Sequence, residues 1–262
     1  MRHLVRMSRL QFEGSSQILL DSARIKSSLL YGHPDTGKTR LVCAMASDSH
    51  SNIIAITATD IENKYCGESE KRIAMVFSLA RKLSPCILFI DEVDALSYRR
   101  SSYDASWRRR NLTQFLQEID RMDLTSDKDA PFVIGASNHP LDLDEAFIRR
   151  LPYKVMFTLP GLEERKQILK IFLKDDDLDP LVSIDAISQH TEGLSGSDLR
   201  SVCGETALDF AIESMKSNKN NGEPIRLQLD NGHIARALQK VQPSVTARSH
   251  KSIGEFNQQF SV

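Results

Sequence analysis

The stretch Gly32-His33-Pro34-Asp35-Thr36-Gly37-Lys38-Thr39 fits the pattern G-x-x-x-x-G-K-[ST]. At average composition, a chain of this length contains that pattern by chance about 1% of the time. Its surroundings add weight. The apolar Ser27-Ser28-Leu29-Leu30-Tyr31 leads in and the helix-forming Arg40-Leu41-Val42-Cys43-Ala44-Met45-Ala46 follows, which is the strand–loop–helix order such a loop needs. The chemistry asks for backbone N–H groups curled around a β-phosphate and aimed from a helix N-terminus. Lys38 is placed to reach β- and γ-phosphates, and the Thr39 hydroxyl to ligate Mg²⁺. The same residues would also serve a plain glycine-rich turn between a strand and a helix.

Working outward, short apolar runs alternate with helical patterns up to about residue 160. Strand-like runs cover Ser28–Tyr31, Ile53–Thr57, Cys86–Ile90, Phe132–Ala136 and Tyr153–Thr158. Between them, Ile73, Val76, Phe77 and Ala80 show three-and-four spacing. Buried strands that read as continuous apolar runs, separated by helices, predict an α/β fold with a parallel sheet covered on both faces. After Pro160-Gly161 the strand signals stop. Leu162, Ile168, Leu169 and Phe172 form one helical stripe, Leu199, Val202, Cys203, Leu208 and Ile212 a second, and Ile234, Leu238 and Val241 a third. Ser195 with Asp198 is a capping-box pattern opening the second helix. Residues 1–160 are thus expected to form a large α/β nucleotide-binding domain, and 161–262 a small helical domain with the C-terminal helices. Ser217–Glu223 reads as an exposed loop within the latter.

The strand Cys86–Ile90 ends in Asp91-Glu92. A buried strand has no structural use for adjacent acids at the end where α/β sheets bind ligands. Asp91 suits the shell of a hard cation. Glu92 suits a general base acting on water, an effect worth about 10²–10⁴-fold.

Four segments now stand in order: GHPDTGKT, CILFIDEVDAL, VIGASNHPLDLDEAFIRR and GLSGSDL. Together they resemble the AAA ATPases, from about Phe12 to the C-terminus. Within that superfamily the chain resembles the meiotic clade of spastin, katanin, fidgetin and the ESCRT-disassembly ATPase. The segment FIRRLPYKVMFTLPGLEERKQILKIFLKDDDLD is most similar to the mitochondrial outer-membrane translocase that extracts mislocalised tail-anchored proteins. The ending HIARALQKVQPSV with IGEFNQQF resembles this clade's C-terminal helices.

The resemblance implies a P-loop fold with a five-stranded parallel sheet and a helical lid, and a homo-oligomeric, hexameric ring with ATP between subunits. It places Gly32, His33, Pro34, Asp35, Thr36, Gly37, Lys38, Thr39 and Arg40 around ATP, with Thr39 and Asp91 at Mg²⁺. Asn138 matches the polar sensor that orients the hydrolytic water. Arg149 and Arg150 match the arginine pair reaching into the neighbouring subunit's site. Gly196 and Ser197 match the lid motif lining the nucleotide pocket. Tyr65, in Lys64-Tyr65-Cys66-Gly67-Glu68, matches the aromatic of a pore loop that grips a polypeptide substrate. Two departures stand out. The family's loop usually has Pro and Gly where this one has His33 and Asp35. A carboxylate at Asp35 repels a triphosphate and is expected to weaken binding, although Asp tolerates left-handed backbone well enough for the loop to form. Only 31 residues precede Gly32, and neither the family's hydrophobic–Gly-Leu segment nor a membrane anchor or microtubule-interacting domain is visible there.

Composition bounds the reading. The 262 residues carry 34 Lys+Arg against 35 Asp+Glu, and 40% are hydrophobic. The near-zero net charge argues against a coat for nucleic acid or membranes, so no nucleic acid is expected. A charged fraction of 26% excludes disorder throughout. The run Trp107-Arg108-Arg109-Arg110 reads as a solvated helix face or subunit contact. Cys43, Cys66, Cys86 and Cys203 form no C-x-x-C pair and read as packed thiols of a reducing compartment. No apolar run approaches the ~20 residues of a membrane helix, and Met1–Phe12 is basic without a signal peptide's apolar stretch. Intracellular placement is expected, at the cytosolic face of the mitochondrial outer membrane by resemblance and otherwise in the cytoplasm. Membrane association would then need a further segment or an adaptor. The expected function is ATP-driven extraction, unfolding or remodelling of proteins. The alternatives are microtubule severing or ESCRT disassembly, and a degenerate nucleotide-binding module that scarcely hydrolyses.

Overall fold

The computed structural model describes residues 26–61, 67–96, 106–124, 130–173, 178–216 and 228–260. Five strands form one parallel sheet: β1 (Ser27–Gly32), β2 (Asn52–Ile56), β3 (Cys86–Ile90), β4 (Phe132–Ser137) and β5 (Tyr153–Phe157), in the order β2-β3-β4-β1-β5. The expected parallel sheet and its five strands are thus observed. The three central strands are buried at every position, and the edge strands β2 and β5 are not. Ile53 and Tyr153 are accordingly exposed, because an edge strand lacks a neighbour on one side.

Alternation along the strands splits the core between the two faces of the sheet. Leu30, Ile87, Phe89, Ile134 and Ala136 pack with Val42, Met45 and Ala46 of α1 (Lys38–Asp48). Leu29, Tyr31, Leu88, Ile90 and Val133 pack on the other face, against Ile73, Phe77 and Ala80 of α3 (Glu68–Lys82) and Phe115 and Ile119 of α5 (Ser106–Leu124). The stripe Ile73, Phe77, Ala80 is the one the sequence spacing picks out. Phe77 is fully buried and meets Phe115 edge-on at 5.3 Å, so truncation to Ala costs about 3–5 kcal/mol. Short helices α2 (Ala58–Ile61), α4 (Val93–Leu96) and α6 (Glu145–Arg150) follow β2, β3 and β4.

Contacts in space, not continuity of the chain, define two compact units. Of the described residues, one gathers those within 26–32, 37–157 and 251–260, and the other those within 33–36 and 158–250. The sequence pattern assigned 161–262 as a whole to the helical part. The difference arises because Ile253 and Phe256, on α11 (Ala247–Phe260), belong to the core of the sheet-containing unit. The second unit is built from α7 (Leu162–Phe172), α8 (Ile184–Gln189), α9 (Gly196–Lys216) and α10 (Asn231–Lys240). Its core joins Leu169, Leu173, Ile187, Leu199, Val202, Cys203, Ile234 and Ala237. Arg165, buried on α7, donates to Ser188 O through Nε and Nη2 (both 3.1 Å) and to Pro160 O through Nη1 (3.0 Å). Satisfying the guanidinium this way fixes Pro160, which precedes α7, within the helical unit.

The second helical stripe is only half internal. Leu199, Val202 and Cys203 are buried, but Leu208 and Ile212 are exposed. Helix α9 has 21 residues, and beyond its first two turns this face has less of the unit's core to lie on. Leu162 is exposed as well. The reading of Ser217–Glu223 as a loop falls outside the described residues.

Candidate active site

In a parallel sheet every strand delivers its C-terminal end to the same edge. The register pairs Tyr31 with Ser137 and Ile90 with Gly135, so β4 stands between β1 and β3. Gly32, Asp91 and Asn138 therefore emerge side by side. Gly32 has φ +151°, and a Cβ there would stand 2.2 Å from the Phe157 carbonyl oxygen, so only glycine can turn the chain out of β1 at this point. Asp35 adopts φ +57°, the left-handed geometry its short polar side chain tolerates, and Gly37 has φ +92°. Thr36 Oγ1 donates to the His33 carbonyl (2.8 Å), tightening the turn.

Gly37 caps α1 without a side-chain hydrogen bond, and the first turn carries no acid. The leading N–H groups of an 11-residue helix are thus left for an acceptor outside the helix, as an anion site requires. Lys38 is buried, with Nζ 3.2 Å from the Gly32 carbonyl oxygen, so its ammonium lies folded along the loop. Thr39 Oγ1 donates to Asp91 Oδ2 at 3.0 Å, across 52 residues of sequence. A hydroxyl and a carboxylate brought together suit a hard divalent cation whose other ligands are phosphate oxygens and water. Among the described residues no group of three or more His, Cys, Asp or Glu side chains is arranged to hold a metal by itself.

Glu92 follows at φ +51°, an uncommon conformation for a residue with a side chain. Its N–H donates to Asp91 Oδ1 (3.0 Å), which fixes the turn that carries both acids. Asn138 Oδ1 is buried with no hydrogen-bond partner. A buried amide oxygen without a donor is costly unless a ligand or water supplies one, so it marks a place where a polar guest belongs. The support for Asn138 is not visible in the sequence motifs. Ser137 Oγ donates to Asp94 Oδ1 (2.7 Å) and accepts from the His139 N–H (3.0 Å), tying the segments after β3 and β4 together on either side of it.

The two arginines separate. Arg150 is held in its own chain, with Nε and Nη2 on the Asp120 carboxylate at 2.9 and 3.0 Å and Nη1 on Ala146 O at 3.3 Å. Those hydrogen bonds hold the Asp120 carboxyl below its ordinary range, outweighing partial burial. Arg149 projects to solvent, 77% exposed, beside Glu145 at 3.5 Å. Arg40, next to Thr39, is exposed.

In the helical unit, Gly196 opens α9, and a Cβ there would stand 3.2 Å from the Asp35 carbonyl oxygen. Both residues lie in the helical unit, so the start of the GLSGSDL helix stands against the Asp35 backbone there. The capping box is present: the Asp198 N–H donates to Ser195 Oγ (3.2 Å) and the Ser195 N–H to Asp198 Oδ2 (2.9 Å). Burial pushes the Asp198 carboxyl up, but hydrogen bonds from Ser195 and Ser244 outweigh it and hold the group below the usual range. Tyr65 lies outside the described residues. Cys86 and Cys203 are buried as expected, with desolvation pushing the Cys203 thiol up to about 11, whereas Cys43 is exposed and Cys66 lies outside the described residues.

A parallel sheet of this order, with a glycine loop after β1 and an acid pair after β3, defines a P-loop nucleotide-binding domain. The family model for the ATPase family associated with various cellular activities (AAA) matches residues 28–159, and the chain belongs to that family. It is 36% identical over 241 residues to the spastin homolog of Caenorhabditis elegans, covering 90% of this chain and 47% of that protein. It is also 36% identical over 231 residues to the outer mitochondrial transmembrane helix translocase of Danio rerio, covering 87% of this chain and 62% of that one. The solved AAA domain of FIGL-1 in complex with ADP superposes with a TM-score of 0.76 at 30% identity, over 91% of this chain and 79% of that chain. These relatives fit the meiotic clade that the motifs resemble. The chain spans about half to three-fifths of the length of the curated relatives it matches. Among the described residues no helix is long and apolar enough to cross a membrane.

Proposed function

We propose that this chain is the Mg²⁺-dependent ATP-hydrolysing core of a hexameric motor that pulls polypeptide through its ring. The contact of Thr39 with Asp91, 3.0 Å apart beside a helix N-terminus without a side-chain cap, carries the reading. Gly32–Thr39 cradle the phosphates and Arg40 flanks them, while Gly196 and Ser197 match the family's lid motif. Thr39 and Asp91 would hold Mg²⁺, which would supply charge neutralisation to the phosphates. Glu92 takes a proton from the attacking water, and the Asn138 amide orients that water. Arg149 completes the site of the neighbouring copy, a contribution worth about 10³–10⁵ in rate for such guanidinium groups. Tyr65 grips the substrate.

That the client is a polypeptide is inferred from the family. Identity is 36% to both the spastin homolog and the translocase, so the likeness carries the shared motor and not the choice of client. We favour extraction or remodelling of polypeptides, including membrane proteins at the cytosolic face of the mitochondrial outer membrane, over microtubule severing, because the segment from Phe147 to Asp179 resembles the translocase. Release of a tail-anchored client supports the first, and binding of tubulin tails without such release supports the second. A nucleotide-binding module that scarcely hydrolyses is disfavoured by the presence of Lys38, Asp91, Glu92 and Asn138 together.

The nucleotide site is tested by Lys38→Ala with a fluorescent ADP. Loss of at least tenfold in affinity with the fold retained is expected, because an ammonium facing two phosphates is removed. Unchanged affinity would place the nucleotide elsewhere.

A further inference from the structure

His33 stands where the family usually has proline, and the residue is only 2% exposed. Both of its ring nitrogens are used. Nδ1 lies 3.0 Å from Ser249 Oγ, Nε2 lies 3.1 Å from His250 Nδ1, and the two imidazoles meet edge-on with centroids 4.2 Å apart. Ser249 and His250 sit in the first turn of α11, where the Thr246 hydroxyl accepts from the Ser249 N–H and the Thr246 carbonyl from the His250 N–H. Two turns further along, Asn257 Oδ1 accepts from Tyr31 OH at 2.6 Å, and Phe256 meets the Tyr31 ring at 4.8 Å. The residues on both sides of Gly32 are therefore held by a single helix more than 200 positions away in sequence.

We propose that His33, Ser249 and His250 form a latch through which the C-terminal helix positions the phosphate loop and thereby sets its affinity for nucleotide. The three act as positioning residues, and the proposal rests on the reading that Gly32–Thr39 hold the nucleotide. An imidazole bonded at both nitrogens cannot spin or withdraw, so the loop's first residue after Gly32 is fixed in direction as proline would fix it in φ. The bond between the rings needs one proton shared by two nitrogens. Either His33 donates to His250 and accepts from Ser249, or His250 donates to His33, which donates to Ser249. The latch works both ways: if the helix favours the binding-competent loop, bound nucleotide must favour the latched helix by the same factor.

The test is a double-mutant cycle on ADP affinity, read with a fluorescent ADP analogue, together with thermal melts. Loss of one hydrogen bond of about 1 kcal/mol corresponds to about fivefold in affinity. His250→Ala is expected to weaken ADP by about that factor, and His33→Ala by as much or more. The double variant should lose no more than His33→Ala alone, because the shared bond can be broken only once. His250→Asn, whose amide can stand in for Nδ1, should recover affinity to within about twofold. Because His250 is exposed, His250→Ala and His250→Asn remain informative even if His33→Ala fails to fold. Hydrogen exchange supplies the reciprocal readout: ADP should slow the amides of residues 250–260 in the wild type and not in His250→Ala. Additive losses, or wild-type affinity in a folded His250→Ala, would overturn the latch. Lys38→Ala separates the two levels. If it removes ADP binding while His250→Ala does not weaken it, the latch alone fails. If Lys38→Ala leaves ADP bound, the site reading fails and the latch with it.

Discussion

Arg149 and Arg150 are neighbours in sequence, yet their surroundings predict opposite consequences of losing them. The side chain of Arg150 is 32% exposed and that of Asp120 43%, so their two-pronged contact is partly screened. Partly exposed pairs contribute at most about 1 kcal/mol, and the bond to Ala146 O adds about 0.5 kcal/mol. Arg150→Ala should therefore cost about 1–1.5 kcal/mol. For a protein of this size that lowers Tm by about 2–6 °C. Asp120→Asn should reproduce most of that loss. The Asp120 carboxyl is held below its ordinary range chiefly by its hydrogen bonds to Arg150. Its contribution is therefore complete above about pH 4, the unfolded value, and is lost as pH falls through the depressed folded value. The stability gap between wild type and Asp120→Asn should close correspondingly in acid. Arg149, largely exposed beside an exposed Glu145, should change stability by no more than about 0.5 kcal/mol on truncation. Its loss should nevertheless lower ATP turnover by about 10³-fold or more if it serves the adjoining copy. The assay pairs thermal melts with turnover at a protein concentration that assembles the wild type. Equal melting temperatures for Arg150→Ala and wild type, or an Arg149→Ala protein that turns over normally, would refute this division of roles.

Two further outcomes follow from single positions. Asp35→Gly should tighten ATP several-fold, more at low than at high salt, because it removes a carboxylate from the loop and relieves a residue at φ +57°; titration at two ionic strengths checks this, and unchanged affinity would show that the carboxylate points away from the phosphates. Among Cys43, Cys86 and Cys203, Cys43 should react with a thiol reagent within the mixing time at pH 8, while Cys203, buried and pushed up to about 11, should react only on unfolding; peptide mapping after brief labelling reads the order.

Much of the fold was legible because buried strands cannot avoid being apolar. The runs around Leu30, Leu88 and Ile134 mark the centre of the sheet, and the turn chemistry of Gly32 and Gly37 marks the loop between strand and helix. Periodicity says which residues share a face and nothing of whether another element lies on it. Leu208 and Ile212 continue the stripe of Leu199 and Val202, but their end of α9 is exposed. Cys43 sits among apolar residues, yet Val42, Met45 and Ala46 take the inward phase of α1 and turn it out. The residues proposed for the site were legible as candidates because phosphate chemistry demands particular side chains at fixed offsets. Their supports were not. Ser137 with Asp94, Arg150 with Asp120, and His33 with Ser249 and His250 are contacts between residues 30 to 217 positions apart, and no local pattern encodes such a meeting.

The central claim is that residues of this chain hydrolyse ATP in an assembled ring. It is tested most directly by ATP turnover per subunit across a range of protein concentrations, for the wild type and Glu92→Gln. The account predicts turnover per subunit that rises with concentration and is abolished by Glu92→Gln while ADP still binds. Turnover absent at every concentration, or unaffected by Glu92→Gln, would contradict it.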